Sequence, residues 1–395
     1  MSRITTSPTM ALAAKAAKLK RQGIDVVDFG AGEPDFPTPE HVKNAARAAI
    51  DANFTKYTPS AGISDLRVAI TERYRQDYGV QFGESEVITT AGGKQALFNA
   101  MLALFGQGDE VITHVPGWPT IVEQIKIAEA EPVLVQTHAK DGFRIDPQVI
   151  LDAITPRTRG IVINSPCNPT GALITEDELA AIADVAAKNG IWIIADLCYE
   201  NLIYEDVPHN LPKVLFDRMR DRTVLCGSAS KAYAMTGWRC GWSVGPDAFV
   251  NACNDIQGHS TSNVSSITQR AVVAALTGSQ DCVRDMLNEY RRRRDLIWEL
   301  LTKDGRFSCV KPRGAFYLFV DATKVLRPSG PSTTADLAKG LLDEARVALT
   351  PGEGFDAPGF LRISYATSEA QLREGAARIA RYVEALDRGP VPARA

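Results

Sequence analysis

The chain has 395 residues, of which 45% are hydrophobic and 23% are charged, and its formal net charge is −3. This is the composition of an ordinary globular protein, and the chain is long enough for two domains with separate cores. The near balance of charge gives no basic surplus for nucleic acid, and no apolar run approaches the roughly 18 residues that a membrane helix needs.

The N-terminal and central parts of the chain predict a helix and then an α/β sheet. SPTMALAAKAAKLKRQG is typical of a helix that ends at Gly23. Apolar runs rich in Val and Ile then alternate with helical patterns, which indicates a mostly parallel sheet covered by helices. The predicted strands are residues 86–91, 110–115, 132–137, 160–165, 191–196, 223–228 and 240–245.

One helix between these strands has clear signals at both ends. In TEDELAAIADVAAKNG, Thr175 and Glu178 form a capping box and Gly190 ends the helix. A long charged helix is predicted after about residue 285. Its four arginines, residues 291–294, are interpreted as a solvated face of an amphipathic helix.

The C-terminal part predicts a second, smaller domain. The strand patterns AFYLFVD, VALTPG and FLRISYA are mixed with helices there, which favours an α+β arrangement. We expect an N-terminal segment, residues 1–40, that packs with this small domain. The large domain is expected at residues 41–285 and the small C-terminal domain at residues 286–395.

The cysteines indicate a reducing compartment. Seven are scattered along the chain without a CxxC pair, and the N-terminus MSRITTSPTM lacks an apolar signal core. Both features favour free thiols in a cytoplasmic protein.

Several familiar signatures are incomplete or absent. FGAGEPDF lacks the last glycine of GxGxxG, and GGKQ is not a Walker A loop. The sequence has no HExxH, no GxSxG and no clustered histidines, so we expect no metal site. Nucleotide binding, zinc hydrolysis and serine-hydrolase chemistry therefore lose support.

Small, polar or ionisable residues follow four of the predicted strands. The carboxyl ends of strands in an open α/β sheet are where ligands bind, so these residues are expected to meet at one edge. They are Gly93 and Lys94 after the first strand, Asn168 after the fourth, Asp196 at the end of the fifth, and Ser228 and Lys231 after the sixth.

The motif GSASKAYAMTGWRCGW, which contains Lys231, resembles the cofactor-lysine motif of class I aminotransferases, the aspartate-aminotransferase-like enzymes of PLP fold type I. SPCNPTG, ADLCYE, KYTPSAGISDLR, AGEPDF and FLRISYA match that family in the same order. The resemblance runs from about residue 2 to 385. It implies pyridoxal 5'-phosphate (PLP) as cofactor, amino acids and 2-oxo acids as substrates, and a homodimer with shared active sites.

The resemblance also implies the role of each site residue. Lys231 is expected to hold PLP as a Schiff base and to move the Cα proton of the substrate. Asp196 is expected beside the ring nitrogen, whose proton affinity a carboxylate raises. Arg362 is expected to bind the substrate α-carboxylate through its planar fork, and the backbone at Gly32 to approach that carboxylate.

The other implied roles concern the cofactor phosphate and ring. Arg and a helix N-terminus both suit a phosphate. The phosphate ligands implied are Ser228, Arg239, Gly93, Lys94 and, from the partner subunit, the residue matching Tyr57. The ring contacts implied are Asn168 and Tyr199 at the ring oxygen and Trp118 stacked on the ring, and Trp118 and Asn168 also face the substrate.

Lys94 is a further candidate for substrate specificity. A cation at a helix N-terminus opposes the helix dipole, so helix stability does not explain it and a nearby anion would. A subgroup of bacterial aspartate aminotransferases carries a lysine at the matching position for the distal carboxylate. We therefore expect a dicarboxylic amino acid, with aspartate as the best candidate, and 2-oxoglutarate as acceptor.

Two other functions remain open on the sequence. A PLP-dependent lyase of the same fold, such as a C–S β-lyase or a cyclopropane-forming synthase, would need no oxo-acid acceptor. A non-catalytic PLP-binding regulator would need an attached DNA-binding segment. The chain also departs from the family at Leu197 and Cys198 and after Trp118, and an aromatic amino acid or alanine remains possible as substrate.

Overall fold

The computed structural model describes residues 8–328 and 330–388 of the chain. The first seven residues of the predicted N-terminal segment lie outside this range. The described helices are α1 (Pro8–Arg21), α2 (Glu40–Asp51), α3 (Ser64–Tyr78), α4 (Gly93–Leu104), α5 (Pro119–Ile127), α6 (Pro147–Asp152), α7 (Glu176–Asn189), α8 (Leu211–Met219), α9 (Ala229–Ala232), α10 (Asp247–Gly258), α11 (Ser266–Thr277), α12 (Asp281–Thr302), α13 (Thr334–Asp343) and α14 (Glu369–Asp387). The described strands are β1 (Val27–Asp28), β2 (Val87–Thr90), β3 (Glu110–Val115), β4 (Glu131–Gln136), β5 (Thr158–Asn164), β6 (Trp192–Asp196), β7 (Thr223–Ser228), β8 (Gly241–Val244), β9 (Ser308–Cys309), β10 (Tyr317–Asp321), β11 (Val347–Ala348), β12 (Thr350–Pro351) and β13 (Phe360–Ser364).

A seven-stranded sheet forms the centre of the larger part, and it contains all seven strands predicted there. The strand order is β2-β8-β7-β6-β5-β3-β4. Strand β8 runs antiparallel to both its neighbours, while the other pairings are parallel. The predicted mostly parallel α/β sheet is confirmed.

Helices cover both faces of this sheet, which explains the nearly continuous apolar strands. Successive residues of β6 point to opposite sides, so Ile193 packs into one core and Ile194 into the other. The same alternation places Ile161 and Val162 of β5 in different cores. Helix α7 has the predicted ends, since Thr175 and Glu178 form the capping box and Gly190 has φ +65°.

A second, antiparallel sheet lies in the C-terminal part, in the order β12-β13-β10-β9. The pattern VALTPG forms two short strands there, because β11 pairs with β1 near the N-terminus while β12 joins the four-stranded sheet. Helix α1 packs beside β11 through Ala16, which shares a small core with Leu342 and Ala348.

Helix α12 connects the two parts and corrects one interpretation. It begins at Asp281, and its side chains pass from the large-sheet core at Val283 to the small-sheet core at Met286. The interpretation of all four arginines as a solvated face is wrong for Arg293 and Arg294, which are both 7% exposed. Arg293 pairs with Glu289 and with Asp35, which is distant in sequence, and Arg294 pairs with Asp295, so both buried charges have a carboxylate partner.

No helix in the described part of the chain is both long enough and apolar enough to cross a membrane.

Candidate active site

A cavity of about 1050 Å³ lies at the carboxyl edge of the large sheet, next to the small sheet. It brings together the residues that the sequence nominated from four strand ends and from the C-terminal part. The nominated residues that line it are Gly32, Gly93, Lys94, Trp118, Asn168, Asp196, Tyr199, Ser228, Lys231, Arg239 and Arg362.

Lys231 is in the short helix α9, directly after β7. Its Nζ donates a hydrogen bond to the carbonyl oxygen of Gly32 and lies 5.8 Å from the ring centre of Tyr199 and 5.6 Å from that of Phe316. Burial lowers the pKa of the Lys231 amine to about 8. Near neutral pH, a larger fraction of this amine is therefore neutral, and hence nucleophilic, than of an ordinary lysine.

Asp196 ends strand β6 and is 2% exposed. Its Oδ1 accepts a hydrogen bond from the backbone N–H of Cys198 at 3.1 Å. Burial raises the pKa of the Asp196 carboxyl above its usual range. A buried carboxylate of this kind is stabilised by a positive charge placed beside it in the cavity.

The start of helix α4 and the side chains facing it form a cradle for an anion. Gly92 has φ +87°, and a Cβ there would lie 2.5 Å from Nη2 of Arg239. Arg239 itself donates to the carbonyl oxygen of Ala91 at 3.1 Å. With the first N–H groups of the helix at Gly93 and the hydroxyl of Ser228, these groups suit a phosphate.

Arg362 lies in β13 and reaches the cavity from the small sheet. Its Nη1 donates to Oδ1 of Asn168 at 3.0 Å, and its Nη2 donates to the carbonyl oxygen of Gly30 at 3.0 Å. Its Nε is buried and has no hydrogen-bond partner in the described structure. A buried guanidinium with a free donor is suited to a carboxylate ligand.

Tyr317 is a site residue that the sequence reasoning missed. Its hydroxyl lies 2.8 Å from the hydroxyl of Tyr199, and its ring centre lies 4.4 Å from the Arg362 guanidinium. A Cβ on Gly32 would lie 3.1 Å from the same hydroxyl, so the glycine permits a close approach. The available signal was strand alternation in AFYLFVD, but it identifies the face only when the pairing with β13 is known.

Lys94 and Trp118 form a pair at the opening of the cavity. Lys94 Nζ lies 5.0 Å from the Trp118 ring centre, a cation–π distance. Partial burial and then the charge of Arg239 lower the pKa of Lys94. The side-chain amide of Gln124 donates to the Lys94 carbonyl oxygen at 2.9 Å, which joins α5 to the start of α4.

Tyr57 is the one nominated residue that does not line the cavity of its own chain. Tyr57 is 91% exposed. The geometry of a single chain therefore gives Tyr57 no role in that chain's own site.

The residues present fit PLP as a ligand. A cradle for a phosphate, a part-buried amine and a buried carboxyl all face one cavity, and Trp118 offers an aromatic face there. The free Nε of Arg362 leaves a place for the carboxylate of a second ligand. These groups correspond to the phosphate, aldehyde and pyridine nitrogen of PLP and to an amino-acid substrate.

The fold and this lysine-centred cavity define a PLP-type transferase. The sequence matches the family profile described as "Aminotransferase class I and II" over residues 24–379. The chain belongs to this aminotransferase family, whose members use PLP.

Relatives and solved structures agree over nearly the whole chain. An aspartate aminotransferase of Geobacillus stearothermophilus is 42% identical over 97% of each chain. The Thermus thermophilus aspartate aminotransferase with maleate superposes with a TM-score of 0.90 at 42% identity, covering 97% of this chain and 99% of that one. The Rhizobium meliloti aspartate aminotransferase gives a TM-score of 0.92 at 40% identity, covering 97% and 98%. The lyase and regulator alternatives are not favoured by these findings.

Proposed function

We propose that this protein transfers the amino group of aspartate to 2-oxoglutarate with PLP as cofactor. The observation that carries the proposal is the presence of two cationic side chains, Arg362 and Lys94, in the lining of one cavity that also contains Lys231. Two cations suit the two carboxylates of a dicarboxylic amino acid. The reactive amine of Lys231 moves the proton of the carbon that bears the amino group.

The cofactor is held at both ends by residues of this cavity. Arg239, Ser228 and the N–H groups at the start of α4 bind its phosphate. Asp196 stabilises a proton on the ring nitrogen, and Asn168 and Tyr199 bind the ring oxygen. When bound, PLP supplies an electron sink for negative charge at the substrate Cα.

Substrate chemistry follows from the remaining polar groups. Arg362 binds the α-carboxylate and so fixes the orientation of the Cα–H bond. The Lys231 amine, when it is not attached to the cofactor, would take the proton from Cα of the bound substrate and hold it for return, acting first as a general base and then as a general acid. A pKa of about 8 suits this role, because both protonation states are accessible near neutral pH.

In this proposal, Lys94 binds the distal carboxylate of the substrate. Its ammonium is placed by the Trp118 ring at 5.0 Å and by the fixed start of α4. Relatives named as aspartate aminotransferases support a dicarboxylic substrate, as does the maleate of the Thermus structure, since maleate is a four-carbon dicarboxylate.

The assembly and location of the protein are also proposed. We infer a homodimer in which Tyr57 reaches the phosphate of the partner site, because its exposed ring has no role in its own cavity. We infer a cytoplasmic protein, which the seven free thiols support. We also propose domain boundaries at residues 40 and 285. Helix α12 supports the second boundary, because its side chains pass from the core of the large sheet at Val283 to the core of the small sheet at Met286.

A panel of amino donors tests the proposal directly. Purified protein loaded with PLP is assayed with aspartate, glutamate, alanine and phenylalanine against 2-oxoglutarate. Aspartate should give the highest kcat/KM and should release oxaloacetate only when 2-oxoglutarate is present. Release of pyruvate and ammonia from cysteine conjugates without an oxo-acid acceptor would instead establish the lyase.

A further inference from the structure

The segment from Gly30 to Phe36 contacts two side chains of the site, Lys231 and Arg362. Within the described chain, it belongs to neither a helix nor a strand. The carbonyl oxygen of Gly32 accepts from Lys231 Nζ, and that of Gly30 accepts from Arg362 Nη2 at 3.0 Å. The position of this segment therefore helps to set where both side chains point.

Arg293 of helix α12 holds the far end of this segment. Its Nη1 donates to Oδ1 of Asp35 at 2.7 Å, and its Nε donates to Oε1 of Glu289 at 2.8 Å. Its guanidinium lies 5.0 Å from the ring centre of Phe36 and 5.8 Å from that of Tyr290. The two rings pack edge to face with centres 5.4 Å apart.

Burial makes this anchor stronger than an ordinary surface pair. The Arg293 side chain is 8% exposed, and that of Asp35 is 30% exposed. A charged hydrogen bond shielded from water is weakened little by solvent, whereas exposed pairs contribute little. A planar guanidinium can stack on Phe36 and donate in its plane at the same time, which a lysine ammonium cannot do.

We propose that Arg293 is a positioning residue for the transamination reaction. By holding Asp35 and Phe36, it fixes the segment whose carbonyl group at Gly30 orients Arg362 and whose carbonyl group at Gly32 accepts from Lys231 when that amine is not attached to the cofactor. The inference rests on the proposed roles of Arg362 and Lys231. Arg293 touches neither substrate nor cofactor. It acts on both through the segment from Gly30 to Phe36.

The neighbouring Arg294 provides a matched control. Its side chain is also 8% exposed, and it is paired with Asp295 at 2.8 Å. Its Nη1 donates to the carbonyl oxygen of Pro312 at 3.1 Å, and its guanidinium lies 4.8 Å from the Tyr204 ring centre. None of these contacts reaches the segment from Gly30 to Phe36.

The test compares Arg293→Gln, Asp35→Asn and Arg294→Gln as PLP-loaded enzymes. Hydrogen exchange of the amides in residues 30–36 is measured without substrate, and kcat and KM are measured for the amino donor. Arg293→Gln and Asp35→Asn should each exchange about tenfold faster in this segment and raise KM about tenfold, with a smaller change in kcat. Because the freed segment must be ordered again when substrate binds, the loss falls mainly on KM.

Arg294→Gln should leave exchange in the segment and KM within about twofold of the unchanged enzyme. The double variant with Arg293→Gln and Asp35→Asn should be no worse than Arg293→Gln, since both remove one contact. The proposal is overturned if amide exchange in residues 30–36 is unchanged in Asp35→Asn. It is also overturned if Arg294→Gln changes exchange and KM as much as Arg293→Gln does. Asp35→Asn decides the matter where Arg293→Gln does not fold. Exchange is read without substrate, so a wild type inactive on aspartate refutes the proposed substrate and leaves this test intact.

Discussion

Arg362 Nη1 and Asn168 Oδ1 lie 3.0 Å apart, although the two residues are 194 positions apart in the sequence. The contact joins the small sheet, which carries Arg362 in β13, to the loop after β5 of the large sheet. The proposed α-carboxylate ligand and a proposed ring ligand thus touch each other. In the proposed function, binding of substrate at Arg362 would therefore be coupled directly to the residue that holds the cofactor ring.

Replacing Lys231 by Ala should abolish covalent attachment of PLP. No other amine of the lining is placed at the end of β7, where Lys231 packs near Tyr199 and Phe316. Borohydride reduction followed by peptide mass spectrometry should find the cofactor on Lys231 in the wild type and nowhere in the variant. Covalent cofactor on another lysine would refute the assignment.

The rate at which cofactor-free enzyme captures PLP should depend on pH through Lys231. Burial lowers the pKa of this amine to about 8, so raising the pH through 8 converts it to the neutral nucleophile. The capture rate should rise about tenfold between pH 7 and pH 9 and then level off. Nα-acetyl-lysine, whose side-chain amine has an ordinary pKa, is the control. Its rate of reaction with PLP should keep rising beyond pH 10. A capture rate that follows the control would mean that the site does not lower the pKa.

Asp196→Asn should keep PLP bound but lose about 10²-fold or more in kcat. The amide preserves the shape of the side chain and the place of the bond from the Cys198 N–H, but it cannot stabilise a positive ring nitrogen. Absorbance of the bound cofactor measures how much PLP the variant holds, independently of its kcat. Turnover near that of the wild type would show that another group protonates the ring.

Tyr57→Phe should weaken PLP binding about tenfold or more, the typical effect of losing a hydrogen bond to a charged group. Tyr57 is 91% exposed in one chain, so the effect requires the partner subunit. Hybrid dimers of Lys231→Ala and Tyr57→Phe chains provide the test. If Tyr57 crosses the interface, both changes fall in one site, and the site that keeps Lys231 binds PLP as tightly as wild type. Weak binding at that site would place Tyr57 in its own subunit.

Local patterns predicted the sheet and the polar residues that follow four of its strands, whereas the other nominated lining residues came from the resemblance to the aminotransferase family. Strand ends locate Asp196 and Lys231 because a buried parallel sheet has a distinctive apolar pattern and one functional edge. The burial of Arg293 was not predictable, since its partner Asp35 is 258 positions away and polar residues are ordinarily read as solvated. Tyr317 was missed for a similar reason, because only the register with β13 places it beside Arg362.

Lys94→Ala should lower kcat/KM for aspartate selectively. The ammonium lies 5.0 Å from the Trp118 ring centre, at the start of α4, where the helix dipole disfavours a cation. A bound distal carboxylate would offset that unfavourable placement. Losing a charge-assisted hydrogen bond costs roughly 1.5–3 kcal/mol, which corresponds to about tenfold to a hundredfold in kcat/KM for aspartate. Alanine has no distal carboxylate, so its kcat/KM should stay nearly unchanged.

Lys94→Arg keeps the charge and should retain much of the preference for aspartate. An equal loss for aspartate and alanine would show that Lys94 serves the cofactor phosphate, and a wild type inactive on aspartate would exclude this role altogether.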